Sequence, residues 1–151
     1  MSSPWDRRTA LSLLAQAKPT ALARHMEALG ELPRFEWLRP PETGAVMLRG
    51  RASGTGAPFN LGEMTVTRCT LRLAALEGTD AVGHGTVAGR SHSHAERVAL
   101  CDALLQTAKN DAVETHVLAP LSVEAAAARD ETASAADKTK VNFFTLVRGE
   151  D

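Results

Sequence analysis

The chain has 151 residues, carries 17 lysines and arginines against 18 aspartates and glutamates, and has no tyrosine and few other aromatic residues. This length allows one domain with a substantial core, and the near-neutral charge with few stacking rings excludes a general nucleic-acid binder, which needs a basic face and aromatic platforms. Cys69 and Cys101 lie far apart and in no CxxC spacing, which excludes a zinc ribbon or a disulfide framework and fits cytoplasmic thiols. No segment approaches the roughly 18 apolar residues of a membrane span, and the N-terminus lacks an export core. A single cytoplasmic domain over residues 1–151, with no membrane contact, is expected.

Along the chain, Ser3-Pro4-Trp5-Asp6 has the form of a helix start, with Ser3 as cap, Pro4 in the first turn and Asp6 near the positive helix end. Leu11 and Leu14 continue one face. Pro19 opens a second helix in which Leu22, Met26 and Leu29 recur at helical spacing before Gly30, which predicts a helical hairpin. From Phe35 the period shortens. Residues 35–39, 45–52, 64–73 and 81–87 predict antiparallel strands separated by Pro, Gly and Asn clusters. In the third, Thr65, Thr67, Cys69, Leu71 and Leu73 share a face while Arg68 and Arg72 point the other way, so one side is core and the other is available.

Residues 95 to about 109 predict a helix with Val98, Cys101, Leu105 and Ala108 as its apolar stripe. Residues 113–118 read as a strand ended by Pro120. An alanine-rich helix follows with Ser122 as cap, and residues 141–147 close as a strand with both faces partly buried. The fold class that follows is α+β, an antiparallel sheet of about four to five strands with the N-terminal helical hairpin and further helices packed on it.

Residues 89–97, GRSHSHAER, concentrate the chemistry. Ser93 and Glu96 fit a capping box, in which the hydroxyl and the carboxylate satisfy helix-end amides reciprocally. His92 and His94 reach one metal only from an extended backbone, with Glu96 or Asp102 adding oxygen, and the HExxH and HxE with PCxxC signatures are absent. Gly89, Arg90 and the amides of the following helix suit a phosphate or phosphonate. A second glycine- and arginine-rich loop, Arg49-Gly50-Arg51-Ala52-Ser53-Gly54-Thr55-Gly56, lacks the ending of a P-loop and reads either as an oxyanion cradle or as a plain hairpin loop. Arg68 and Arg148 are the remaining basic candidates. His25, His84 and His116 read as ordinary surface or half-buried residues, and Cys69 and Cys101, on apolar stripes, as buried structural thiols.

In order and spacing these pieces resemble the PhnG family, subunits of the bacterial carbon-phosphorus lyase system for phosphonate breakdown. The resemblance rests on Pro41-Glu42-Thr43-Gly44, Gly54-Thr55-Gly56 with Phe59, Gly62-Glu63-Met64-Thr65-Val66-Thr67-Arg68, Gly89-Arg90, His94-Ala95-Glu96-Arg97 with Asp102-Ala103-Leu104, Ala119-Pro120-Leu121, and Val141-Asn142-Phe143-Phe144-Thr145-Leu146-Val147-Arg148-Gly149. It implies a subunit that assembles with PhnH, PhnI and PhnJ, with PhnK and PhnL associated functionally. In that system PhnI, supported by PhnG, PhnH and PhnL, displaces adenine from MgATP by a phosphonate to give a ribose 1-phosphonate 5-triphosphate. The iron-sulfur and S-adenosylmethionine chemistry belongs to PhnJ, so this chain is expected to bind no cofactor of its own.

His94 and Glu96 match the family's HAE and are the candidate catalytic pair; Arg90, with Arg49, Arg51 and Arg68, is the candidate set for substrate or phosphate; no metal ligand is assigned. Ser91 and His92 depart from the family's GRD and its basic residue before HAE, and Asn142 stands where VDFF has its carboxylate. Three rival readings are a purely structural assembly subunit, a stand-alone metal-dependent hydrolase using His92, His94 and Glu96, and a regulatory small-anion binder. Uncovered strand edges or faces also predict that the isolated chain self-associates.

Overall fold

The computed structural model describes residues 5–74 and 80–140. Helix α1 (Arg7–Gln16) starts at Asp6, whose carboxylate accepts from the Thr9 amide at 3.0 Å and from Thr9 Oγ1 at 2.5 Å. Asp6 is therefore the cap itself and not a first-turn residue; Ser3 and Pro4 lie outside the described residues. Those bonds from Thr9 hold the Asp6 carboxyl below its ordinary pKa. Helix α2 (Pro19–Glu27) begins on its proline, as the sequence predicts, and buries Ala21, Leu22 and Met26.

The predicted strands 35–39 and 45–52 are one continuous strand, β1 (Phe35–Arg51), which runs through Pro40, Pro41 and Gly44. It does so because β1 is an edge strand among the described residues, where a missing N–H needs no ladder partner, and register shifts on either side of Arg39 absorb the irregularity. Strand β2 (Pro58–Leu73) pairs antiparallel with β1 along nearly its full length, and β3 (Val82–Ala88) pairs with the other edge of β2 from Val66 to Arg72. The sheet has three strands among the described residues, in the order β1-β2-β3. The expected four to five falls to three because two predicted strands merge, 113–118 is helical, and 141–147 lies outside the described residues.

Helix α3 (His92–Leu104) is capped by Ser91, whose Oγ accepts from the His94 amide at 3.3 Å. Ser93 sits inside the first turn, so the capping box with Glu96 does not form. The chain then passes through a short helix α4 (Asn110–Val113) and a wide i→i+5 turn over Glu114–Leu118 into α5 (Ala119–Thr139). Val113, Val117 and Leu118 are fully buried at helical spacing, which overrides the β-branched character that suggested a strand. Pro120 continues this run because the first turn of α5 needs no N–H there. Ser122 is not a cap: its hydroxyl donates to the Ala119 carbonyl at 2.7 Å within the helix.

The helices cover one face of the sheet. α3 lies directly on β3 because two strand positions have no side chain: a Cβ at Gly83 would stand 1.9 Å from the Ala99 carbonyl oxygen, and one at Gly85 would stand 2.0 Å from that of Ala95. Small residues on the helix, Ala95, Ala99 and Ala103, are fully buried against them. Thr67, Cys69, Leu71 and Leu73 of β2 face this layer, as the alternation predicts, while Arg68 and Arg72 lie on the opposite face and pair with Glu42 and Glu36 of β1. Leu14, Leu22, Leu104, Leu118 and Leu121 fill the space among the helices, each burial contributing about 1.5–3 kcal/mol. Of the predicted α3 stripe Val98 and Cys101 are fully buried, Leu105 is half-buried beyond the helix end, and Ala108 is exposed. Arg7 of α1 closes the layer by reaching the buried carboxylate of Asp102.

Candidate functional site

The turn from β3 into α3 gathers the motif residues. Gly89 adopts φ 91°, a conformation that favours glycine, and its amide donates to the Thr65 carbonyl at 2.9 Å. Fully buried Thr67 donates its hydroxyl proton to the Gly89 carbonyl at 2.8 Å. With that proton committed, Thr67 Oγ1 accepts from Thr43 Oγ1 at 3.1 Å, and Thr43 Oγ1 in turn accepts from His92 Nε2 at 3.1 Å. The relay fixes the proton of His92 on Nε2 and leaves Nδ1 as the ring's remaining acceptor when the ring is neutral. Arg90 is exposed beside it, at the N-terminal end of α3, where the helix dipole favours negative charge.

His94 is placed differently. It is only 4% exposed, and its Nε2 donates at 3.0 Å to the carbonyl of Leu14, in the last turn of α1. Carbonyls in that turn have no intrahelical donor, so His94 satisfies one and ties α3 to α1. Glu96 is half-buried, and its negative charge contributes to raising the Cys69 thiol, after the larger effect of burial. Because residues 92–94 are helical, His92 and His94 stand about 200° apart around the helix. One ring meets Thr43 on β1 and the other Leu14 on α1, so the extended backbone that a shared metal requires is not present. Among the described residues no group of three His, Cys, Asp or Glu side chains is arranged to hold a metal ion.

Asp102, a candidate metal oxygen by its place in the sequence, is fully buried and accepts from Arg7 Nε at 2.8 Å, Arg7 Nη2 at 2.7 Å and the His84 amide at 2.8 Å. This bidentate pair spans α1, α3 and β3, and the bond to Asp102 raises the pKa of Arg7. Burial pushes the Cys69 thiol up to about 11 and the Cys101 thiol up to about 12, which makes both poor nucleophiles.

The basic candidates divide between the two faces of the sheet. Arg68 donates to Glu42 at 2.9 Å on the face opposite the helices. By alternation along β1, Arg49 and Arg51 fall on the face of Thr43, and hence on the side of His92 and α3. They lie beyond Ala45, the partner of Thr65, by four to six residues, or about 13–20 Å of strand. Arg51 Nη1 donates to the Gly56 carbonyl at 2.9 Å and so shapes the tip loop, in which Ser53 and Gly54 have φ 52° and 77°. The structure therefore leaves Arg90 exposed two residues before His92 at the N-terminal end of α3, sets Arg49 and Arg51 further along the His92 face, and separates Arg68 and His94 from both. Arg148 and Asn142 lie outside the described residues. Sequence reading missed the Thr43–Thr67–His92 relay, whose members belong to three separate elements and share no spacing signal.

The model of the family described as phosphonate metabolism protein PhnG matches residues 5–149. The chain is 42% identical over 150 residues to the alpha-D-ribose 1-methylphosphonate 5-triphosphate synthase subunit PhnG of Rhizobium meliloti (strain 1021), a match that covers 97% of this chain and 91% of the relative.

Proposed function

The chain belongs to the PhnG family of phosphonate metabolism proteins, and from that membership we propose that it acts as the corresponding subunit of an α-D-ribose 1-methylphosphonate 5-triphosphate synthase in phosphonate catabolism. The observation that carries the reading is identity to a named synthase subunit over nearly the full length of both chains. The partners in this proposal are PhnH, PhnI and PhnJ, with PhnK and PhnL associated, in the cytoplasm. The chain acts as one domain, holds no cofactor itself, and meets MgATP and the phosphonate as substrates of the assembled complex. Among the described residues no helix is long and apolar enough to cross a membrane.

The reaction joins a phosphonate oxygen to the ribose C1 of ATP as adenine leaves, so two anionic groups must approach one another while positive charge develops at C1. This chain's contribution, in our reading, is electrostatic and positional. Arg90 offers a two-pronged donor beside the α3 N-terminus, and the relay through Thr43 and Thr67 holds His92 next to it. Glu96 adds a half-buried carboxyl group two residues after His94 in the first turns of α3. Arg49 and Arg51 form a second basic cluster, able to meet the triphosphate or carboxylates of a partner. Arg68 adds positive potential only when released from Glu42. His94 enters as the residue that fixes α3 against α1, since its ring is buried and committed to Leu14.

The test is adenine release from MgATP and methylphosphonate by the cognate partner subunits, with the chain present, omitted, or carrying Arg90→Ala, and with assembly checked in each sample. Dependence on the chain, with lower turnover in an assembled Arg90→Ala complex, is expected. Turnover that is indifferent to the chain refutes the synthase role; an assembled and fully active Arg90→Ala complex leaves the subunit a scaffold.

A further inference from the structure

Strand β3 covers β2 only as far as Val66, so residues 45–51 and 58–65 continue past the sheet as a two-stranded arm about 20 Å long. Among the described residues no helix shields it, and residues 42–49 and 57–64 are all exposed. Val46, Met47, Leu48, Phe59 and Leu61 of the arm are between 39% and 62% exposed. Val46 and Leu48 lie on one strand face together with Phe59, the partner of Gly50, and Leu61, whose side chain a Cβ at Gly50 would meet, and Met47 lies on the other, so the apolar surface dominates one face of the ribbon and extends to the second. A lone two-stranded ribbon is at best marginally stable in water, and apolar surface this continuous marks an interaction site. The tip carries Arg49 and Arg51, and Glu63 is the single acidic residue between positions 43 and 65.

We infer that this arm is a docking element that inserts between apolar walls of a partner subunit of different sequence, with acidic side chains of that partner receiving Arg49 and Arg51. The inference rests on the synthase-subunit reading. Charge argues against a second copy whose apolar groove would receive the arm. An apolar groove between α1 and α5, lined by Leu13, Ala17, Leu121 and Ala125, would meet a basic tip with Lys18 and Arg129, and its Glu124 is already paired with Arg24 and His25.

The experiment uses the full chain and its co-expressed cognate PhnH, PhnI and PhnJ, without nucleotide, and measures complex formation by affinity pull-down and by sedimentation. Three variants are compared: Met47→Asp/Leu61→Asp, which breaks the apolar surface; Arg49→Glu/Arg51→Glu, which reverses the tip; and Val123→Asp, a still more exposed apolar site on α5. The mutated side chains are solvent-exposed, so the helix content and urea midpoint of each free variant serve as the folding control. Both arm variants are expected to bind on the order of 100-fold more weakly at an unchanged urea midpoint, and Val123→Asp to bind as wild type. Wild-type affinity in the arm variants overturns the arm while leaving the synthase role standing. Failure of the unmodified chain to assemble overturns the synthase role and the arm with it. Self-association of the unmodified chain that the arm variants abolish, with heteromeric assembly retained, assigns the arm to a second copy and overturns the inference.

Discussion

Gly85→Ala tests how α3 is seated on the sheet. The added Cβ would stand 2.0 Å from the Ala95 carbonyl oxygen and 2.9 Å from its carbon, whereas ordinary contact needs roughly 3.4 Å or more. No side-chain rotation relieves the clash, since the obstacle is helix backbone. The helix must retreat by more than 1 Å, roughly the difference between those separations, along a face where Ala95, Ala99 and Ala103 are fully buried. Retreat separates α3 from β2 and β3 and also strains the His94–Leu14 and Arg7–Asp102 links on its other sides.

Overpacking ordinarily costs about 1–3 kcal/mol, and a clash with backbone on an immobile helix belongs at or above the top of that range. A loss of about 3 kcal/mol or more in a domain of ordinary stability lowers the melting temperature by about 6–12 °C and the urea midpoint by about 1 M or more. The assay is urea unfolding followed by far-UV circular dichroism, with Gly44→Ala as control, because a Cβ at Gly44 meets nothing within 4 Å. Gly85→Ala should lose about 1 M or more of its urea midpoint while Gly44→Ala stays within experimental error. Equal midpoints for the two variants refute the close seating of α3 on β3.

Three further outcomes follow from the same geometry. Arg7→Ala strips Asp102 of two donors and leaves it buried with the His84 amide alone, a loss of about 3 kcal/mol; adding Asp102→Asn should restore part of it by removing the stranded charge, and a double variant less stable than the single one by urea unfolding contradicts this account. His94→Ala removes a buried ring and leaves the Leu14 carbonyl without its donor, so it should cost about 2–4 kcal/mol while Arg90→Ala costs less than about 0.5; comparable thermal stability of the two would remove the anchoring role of His94. The folded-state thiol pKa values of about 11 and about 12 lie above the ordinary value of 9.0, so the folded chain releases these protons later than the unfolded one. Their contribution to stability is whole below pH 9 and falls as pH rises from 9 toward 12. The urea midpoint should therefore drop more between pH 8 and pH 10 in the native chain than in Cys69→Ala/Cys101→Ala, and identical pH slopes would show that the thiols are not held neutral by the fold.

Local rules were enough for several features. The proline at the head of α2, the helical spacing of Leu22 and Met26, and the alternation of Thr67, Cys69, Leu71 and Leu73 against Arg68 and Arg72 are set within a few residues, and the structure follows them. The ordered motifs also carried the resemblance to PhnG, which the family match bears out. Where the sequence misled, tertiary context had the casting role. Pro40 and Pro41 sit inside a strand because that strand is an edge among the described residues, and residues 113–118 turn helical because Val113, Val117 and Leu118 share one buried face.

The candidate site was legible only as a list of residue types. Nothing in GRSHSHAER says that His94 points inward to the Leu14 carbonyl while His92 points to Thr43, because each orientation is fixed by a partner 80 or 49 residues away. The same holds for Gly83 and Gly85, whose lack of side chains matters only when α3 arrives, and for the apolar arm, which is exposed because β3 ends before it. Periodicity is a property of neighbours in the chain and fixes helices, strands and their faces. Which faces meet, and which side chain is left for solvent or a partner, depends on long-range packing that no local pattern encodes.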